Sequence, residues 1–128
     1  MHELSIAEGI LGIIVNRAKK NNLNIINKIF FDLGELTIIE PDQLLFVFGL
    51  ISKNTIAEGA ELIIRTIPSK IECNSCGFVG RLTVSYNTKV HHLPHIMPSF
   101  ECPKCHTSDF QIRSGRECVI KKITGKTV

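Results

Sequence analysis

The sequence contains no tryptophan and a single tyrosine, Tyr86, and aromatic residues make up only 6% of its 128 residues. Proteins that bind single-stranded nucleic acid by stacking need exposed aromatic side chains, and this composition offers few of them. An excess of charge is also missing, because the formal net charge is +3 and the basic residues are scattered. We therefore expect no nucleic acid partner. Apolar runs are short and interrupted by charges, so we expect no membrane-spanning segment.

The remaining composition is that of an ordinary globular domain, with 44% hydrophobic and 21% charged residues. Apolar positions at three- and four-residue steps predict an amphipathic first helix that starts near Ser5, with Glu8 completing a capping box. Proline in the first turn predicts a second helix, and alternating apolar residues predict the strands. The predicted helices cover 4–20 and 41–53, and the predicted strands cover 25–33, 61–67 and 117–123.

This order predicts a strand-helix-strand crossover with parallel pairing, followed by a last strand that returns to the same sheet. We therefore expect an α+β fold, in which two helices pack on a small mixed three-stranded sheet. The paired cysteines at 73, 76, 102 and 105 predict that the domain inserted between strands is zinc-ribbon-like. Residues 1–70 plus 110–128 would form one domain, and residues 71–109 the other. Side chains expected in the core include Phe30, Phe31, Phe46, Phe48 and the free thiol of Cys118.

Four of the five cysteines form two similar clips, Cys73-Asn-Ser-Cys76 and Cys102-Pro-Lys-Cys105. Two cysteines three positions apart can reach one ion from a single tight turn, and two such turns supply the four thiolates of a structural zinc site. The alternative is two disulfides in a small secreted protein. We disfavour it because we expect no signal peptide and the chain is long enough to bury a core. Thiols kept free for metal binding indicate a reducing compartment, so we expect the protein in the cytoplasm.

The first three residues, Met1-His2-Glu3, form a second candidate metal site. The terminal amine, the backbone nitrogen of His2 and its imidazole can close adjacent chelate rings on one ion, and Glu3 adds a carboxylate. Nitrogen-rich planar coordination suits nickel(II) or copper(II) better than zinc. Taken alone, a histidine at position 2 is more often a solvated chain end.

Several motifs in order closely resemble the HypA/HybF family of hydrogenase maturation nickel metallochaperones, over nearly the whole chain to about Ile123. The motifs are Met1-His2-Glu3-Leu4-Ser5, Leu33-Gly34-Glu35-Leu36, Gly59-Ala60-Glu61-Leu62 and the two cysteine clips. The resemblance implies that His2 is the essential nickel ligand with Glu3 beside it. It also implies that Cys73, Cys76, Cys102 and Cys105 hold one structural zinc ion per chain.

The resemblance further implies transient Ni(II) as cargo, delivered to the precursor of the [NiFe]-hydrogenase large subunit and in some organisms to urease. A HypB-type GTPase would be the partner in this pathway. The oligomeric state is expected to be a monomer or a dimer that exchanges the last strand.

Other side chains can complete the nickel site. Glu40, just before the second helix, matches an acidic position that approaches nickel in many family members. The segment between the clips contains His91, His92 and His95, which either supply a further nickel ligand or form a solvated loop; among them His95 is favoured, because Pro94 stiffens its approach. His106, directly after the last cysteine, is an alternative zinc ligand.

Two other classes of protein also contain paired cysteine clips or zinc. A zinc ribbon can belong to a nucleic-acid or polymerase-associated protein, which would need a basic face with exposed aromatic residues. A zinc enzyme keeps an open coordination position, whereas two complete clips leave none. The chain also shows no nucleophile-base pair and no phosphate-binding loop, so we expect that it is not an enzyme.

Overall fold

The computed structural model describes residues 2–86 and 98–127. Two α-helices and eight strands are present in these ranges, together with a short 3-10 turn at Glu35–Thr37. The elements are α1 Glu3–Lys20, β1 Leu23–Gly34, α2 Pro41–Ile51, β2 Glu61–Ile67, β3 Lys70–Cys73, β4 Val79–Gly80, β5 Thr83–Tyr86, β6 Pro98–Glu101, β7 Phe110–Ser114 and β8 Cys118–Thr127. None of these helices combines the length and the apolar character that a bilayer crossing requires.

The chain divides into two compact units. The first comprises residues 1–67 and 116–128, and the second comprises residues 68–115. The second unit is therefore inserted between β2 and β8. Its last strand, β7, pairs with β3 and so belongs to the inserted unit, whereas residues 110–128 were predicted to belong to the first domain.

The sheet of the first unit has the strand order β2-β1-β8. Strand β1 runs parallel to β2, as the predicted crossover through α2 requires, and antiparallel to β8. The prediction of a mixed three-stranded sheet joined by the last strand of the chain is confirmed. Strand β1 thus pairs with two strands, β2 and β8, that lie far apart in the sequence.

Both helices contribute to one core on the sheet, but three predicted core residues are less buried than expected. The core contains Ile14 of α1 and Phe31 of β1, and α2 adds Leu44 and Phe48. Phe46 was predicted to be buried and is 65% exposed. The reason is helical geometry, because a residue two positions from both Leu44 and Phe48 lies on the opposite side of α2.

Phe30 and Cys118 also differ from the predicted burial. Phe30 is only half-buried, because β1 alternates and its buried positions are those of Ile29 and Phe31. The Lys122 Nζ atom lies 5.8 Å from the centroid of the Phe30 ring. Cys118 is exposed because it is the first residue of β8, at the edge of the sheet.

The first helix begins before the predicted capping residue. Helix α1 starts at Glu3 with His2 as its N-cap, and the backbone N–H of Ile6 donates to the carbonyl of His2 at 3.2 Å. Ser5 is therefore inside the helix, and the predicted capping box of Ser5 and Glu8 is wrong. The other end is as predicted: Asn21 is the C-cap, and Asn22 follows in the left-handed conformation.

One buried acid is paired across the parallel strands. Asp32 of β1 lies opposite Arg65 of β2, and the guanidinium donates two hydrogen bonds to the carboxylate, at 3.0 and 2.7 Å. The Asp32 side chain is only 10% exposed. The hydrogen bond from Arg65 lowers the pKa of Asp32 below its usual value, against the opposing effect of burial.

Asp32→Asn should therefore destabilise the first unit at neutral pH and should do so much less in acid. A carboxylate with a lowered pKa in the folded state adds stability that is present above the unfolded pKa of about 3.9 and is lost as the pH falls through the folded value. Urea unfolding, followed by the helical circular dichroism signal, should give a lower free energy of unfolding for the variant than for the wild type at pH 7. The difference between the two free energies should become smaller near pH 3. An equal difference at both pH values would contradict the assignment, and Glu8→Gln, at an exposed position of α1, is the control.

Two small sheets form the second unit. One has the order β4-β3-β7, and the other pairs β5 with β6. The buried apolar residues of residues 68–82 and 100–115 number only four: Ile71, Cys73, Leu82 and Cys102. Two of these four are clip cysteines, so the described parts of this unit bury few apolar side chains apart from the cysteine cluster.

Candidate metal centres

The two cysteine clips converge at one point in the second unit. The four sulfur atoms all lie within 4.8 Å of one another. Cys73 Sγ lies 3.6 Å from Cys105 Sγ, and Cys76 Sγ lies 3.7 Å from Cys102 Sγ. A tetrahedron of sulfurs at 2.3 Å from a zinc ion has edges of about 3.8 Å. The donor set and its spacing therefore fit a structural zinc site.

Each clip is held by the same backbone turn. The N–H of Gly77 donates to the carbonyl of Cys73 at 3.2 Å, and the N–H of His106 donates to the carbonyl of Cys102 at 2.9 Å. Gly77 and His106 both adopt the left-handed conformation, with φ of 76° and 63°. This conformation suits glycine and is uncommon for histidine. The first clip thus has glycine at the left-handed position of its turn, and the second clip forms the same turn with histidine there.

The hydrogen-bond donors of the clips point at sulfur. The backbone N–H groups of Ser75 and Cys76 both lie 3.4 Å from Cys73 Sγ. The N–H of Cys76, with help from that of Ser75, lowers the pKa of Cys73 to about 6 despite burial. This thiol is therefore prepared to ionise, and the thiolate is the form that binds metal.

The pKa of Cys105 is shifted in the opposite direction from that of Cys73. The N–H of Thr107 lowers its pKa, but burial and the three neighbouring thiols together raise it more, to about 12. Crowded thiols cannot all ionise, because each negative charge opposes the next. A divalent cation at the centre removes that opposition and lets all four sulfurs bind as thiolates.

The remaining thiol and the adjacent histidine lie outside this cluster. Cys118 is an exposed residue of the first unit, and burial of part of its side chain raises the pKa of its thiol. The ring of His106 is 71% exposed, and its Nδ1 atom lies 3.4 Å from Glu101 Oε1. His106 is not part of the group that could hold a metal ion among the described residues.

The first described residue, just before α1, is open to solvent. His2 is exposed, and its Nε2 atom lies 3.3 Å from Ser5 Oγ, one turn along α1. As the N-cap, His2 precedes the first turn of the helix, whose backbone N–H groups have no partner within the helix. Nitrogen atoms of the ring and of the backbone are thus accessible at the same place.

Two acidic side chains connect this end of α1 with the start of α2. Glu3 Oε1 accepts a hydrogen bond from the backbone N–H of Glu40 at 3.2 Å. Glu40 is itself the N-cap of α2, where its Oε2 atom accepts from the N–H of Gln43 at 2.9 Å. The structure therefore brings Glu3 next to Glu40. These contacts were missed in the sequence, because nothing local to Glu3 indicates a partner so distant in the chain.

The described residues do not bring His2, Glu3 and Glu40 together as three side-chain ligands of one ion. Met1 and the three histidines predicted as alternatives between the clips, His91, His92 and His95, lie outside the described residues. Among the described residues, the side chains at this end of α1 form no enclosed group of metal ligands, in contrast to the four cysteines.

Fold and site together define a small α+β metal-binding protein, with a four-cysteine centre in a unit inserted between two strands. Comparison with known proteins makes this more specific. Residues 1–125 match the family described as "Hydrogenase/urease nickel incorporation, metallochaperone, hypA". The chain belongs to the HypA family.

Curated relatives and a solved structure agree with this membership. The hydrogenase maturation factor HypA of Methanothermobacter thermautotrophicus is 35% identical over 123 residues, which cover 96% of this chain and 95% of the relative. The protein of the same name from Methanobrevibacter smithii is 37% identical over 123 residues, covering 96% and 94%. The solution structure of the Ni metallochaperone HypA from Helicobacter pylori has a TM-score of 0.63 at 20% identity and covers 100% of both chains. This last likeness supports the fold.

Proposed function

We propose that this protein is a nickel metallochaperone that delivers Ni(II) during maturation of [NiFe]-hydrogenase, and that it holds a structural zinc ion for its own folding. The observation that carries the proposal is the contrast between its two centres. One is a cluster of four thiols that together complete a tetrahedral ligand set, and the other is the exposed His2 at the start of α1. A closed site suits a resident ion, and an open site suits an ion that must leave.

The zinc ion would be bound by Cys73, Cys76, Cys102 and Cys105, one ion per chain. Zinc in such a site supplies folding free energy and no chemistry of its own. The chain's own contribution is the pair of clip turns, whose N–H groups support the sulfur atoms of Cys73 and Cys102.

Nickel would be bound by the terminal amine of Met1, the ring and backbone nitrogens of His2, and Glu3. The positive end of the α1 dipole opposes a cation at this place, while the carboxylate of Glu3 and deprotonated backbone nitrogens favour it. These opposing effects suit a site that releases its metal. Glu40 has one carboxylate oxygen occupied as the cap of α2 and can offer the other. His95 is the proposed further ligand from the segment between the clips.

The recipient would be the precursor of the [NiFe]-hydrogenase large subunit, and urease is a second candidate recipient. A HypB-type GTPase would act in the same step, and the setting would be the cytoplasm. We propose no enzymatic activity and no nucleic acid or membrane partner. The alternative of a zinc-ribbon protein that binds nucleic acid or a polymerase is set aside, because family membership covers nearly the whole chain.

Nickel transfer tests this proposal directly. The zinc-loaded protein, given one equivalent of nickel, is mixed with the immature hydrogenase large subunit, a HypB-type GTPase, GTP and a competing chelator. The nickel content of the repurified large subunit should rise well above that obtained with free nickel under the same conditions. Equal nickel uptake with and without the protein would contradict the proposed function.

A further inference from the structure

Helix α2 has a second apolar face, on the side turned away from the core. Leu45, Phe46 and Leu50 are 40%, 65% and 49% exposed, whereas Leu44 and Phe48 on the other side are buried. A helix that is apolar on both sides normally packs against a neighbour on both sides. Clustered exposed apolar side chains mark an interaction surface rather than solvated positions.

The exposed face forms a single stripe along α2 and the turn that follows it. Its positions recur at steps of three and four residues, so they lie one above another on one side of the helix. The stripe is about three turns, or roughly 16 Å, long. Its members, all exposed, are Asp42, Leu45, Phe46, Gly49, Leu50 and Lys53. We call this set the α2 stripe.

The α2 stripe is complementary to a second copy of itself that runs in the opposite direction. From its N-terminal end the residues are Asp42, Leu45 and Phe46, and from its C-terminal end they are Lys53, Leu50 and Gly49. We infer that the α2 stripe is the interface of a two-fold symmetric homodimer, in which α2 packs antiparallel to α2 of a second copy. Such an interface uses the same patch twice, and so requires self-complementarity of this kind.

The antiparallel arrangement places the large ring of Phe46 opposite Gly49, which has no side chain. With the symmetry axis at the level between Val47 and Phe48, Phe46 faces the partner's Gly49, and this happens twice. No heavy atom lies within 4 Å of the position that a Cβ would take at Gly49, so the space above it is open. A ring seated over a glycine lets two helices approach closely, as a knob fits a hole. Leu45 then faces the partner's Leu50 and continues the apolar contact.

The charges at the two ends of the α2 stripe favour a second copy of the chain as the partner and favour antiparallel packing of the two helices. Asp42 faces the partner's Lys53 at both ends of the antiparallel pair, whereas a parallel pair would put like charges together. Neither Asp42 nor Lys53 forms an ion pair within the described residues 2–86 and 98–127. Both are therefore available to a second copy. Opposite charges that close an apolar stripe favour the matching direction and disfavour the wrong one.

Sedimentation equilibrium of the zinc-loaded full chain tests the dimer. Interference optics suit the experiment, because the chain has no tryptophan and one tyrosine. The wild type should dimerise reversibly, and Phe46→Ala should raise the dimer dissociation constant on the order of 1,000-fold, since two anchoring rings are lost per dimer. Phe46 is exposed, so the circular dichroism spectrum should not change.

Gly49→Gln separates association from folding. Glutamine forms helix better than glycine, so the variant should be at least as stable as the wild type, yet its side chain fills the seat of the partner's Phe46 and should abolish the dimer. Gly12→Gln is the matched control. Gly12 is an exposed glycine in α1 with equally open surroundings, and its replacement should leave the dimer intact.

The direction of packing has its own test. Asp42→Lys and Lys53→Asp should each weaken self-association roughly tenfold, because each introduces two like-charge pairs per dimer. Mixing the two variants should restore the dimer as a heterodimer, since every pair is then of opposite sign. Glu8→Lys, with the same change of charge on α1, should have no effect.

A wild type that stays monomeric at high concentration would overturn the inference. A dimer that Phe46→Ala and Gly49→Gln leave intact would also overturn it, because the interface would then lie elsewhere, as in an exchange of β8. Unchanged self-association of both Asp42→Lys and Lys53→Asp would exclude the antiparallel pairing, because in a parallel pair each substitution leaves the number of like-charge pairs unchanged. Nickel transfer is a separate measurement, so failure here leaves the proposed function standing.

Discussion

His2→Ala should abolish nickel binding while the zinc content stays near one ion per chain. The substitution removes the imidazole that closes a chelate ring with the terminal amine and the backbone nitrogen, and the remaining donors are too few to hold nickel(II). Calorimetric titration of nickel into the zinc-loaded protein measures the first effect, and elemental analysis of the same sample measures the second. His2 is exposed at the cap of α1, so the fold should be unchanged.

His106→Asn is the control for this experiment. It removes another exposed histidine, and asparagine tolerates the left-handed conformation that this position adopts. Nickel affinity should be that of the wild type. A blocking group on the terminal amine should weaken binding without any change of side chain. If His2→Ala holds nickel as firmly as the wild type does, the assignment of the chain end is wrong.

Removal of zinc should unfold the second unit and leave the first one folded. Structural zinc sites contribute about 10–16 kcal/mol of apparent binding free energy, which exceeds what a small core supplies. The first unit has its own core, formed by both helices and all three strands. Both helices belong to this unit, so the helical circular dichroism signal should persist after chelation. Amide resonances of residues 68–115 should lose their dispersion and exchange rapidly with solvent.

Cysteine variants give the same comparison without a chelator. Cys73→Ser removes a buried clip thiol and should reproduce the effect of zinc loss. Cys118→Ser alters an exposed thiol of β8 and should retain full zinc content and protease resistance. Metal-free protein that keeps a folded second unit would contradict a structural role for the cysteine cluster.

The features that sequence predicted well depend on short-range patterns. The apolar periodicity of α1, the Glu40-Pro41 start of α2 and the span of β2 at Glu61–Ile67 all follow from residues within a turn or two. The cysteine cluster is of the same kind, because each clip closes on itself and only the meeting of the two clips is long-range. The return of the last strand to the first sheet was predicted because such a strand has no obvious place to pack in a small zinc unit, whereas its pairing with β1 comes from the structure.

Burial and long-range contacts could be predicted less well. Phe46 was assigned to the core because of its residue type, and only the packing direction of α2 shows that it lies outside. Ser5 and Glu8 fit a capping box, but the carbonyl of His2 accepts from Ile6 and the helix begins earlier. The hydrogen bond from Glu40 to Glu3 joins two helix starts that no local pattern relates.

The points where the second unit leaves and rejoins the first have a consequence for the architecture as a whole. Ile67 pairs with Gly34, and Cys118 pairs with the adjacent Leu33, so β2 ends and β8 begins on either side of the same end of β1. Two strand spacings, roughly 10 Å, separate such neighbours. A connection of a few residues can bridge that span, so the inserted segment can lengthen, shorten or be exchanged during evolution without altering the register of the sheet that carries it.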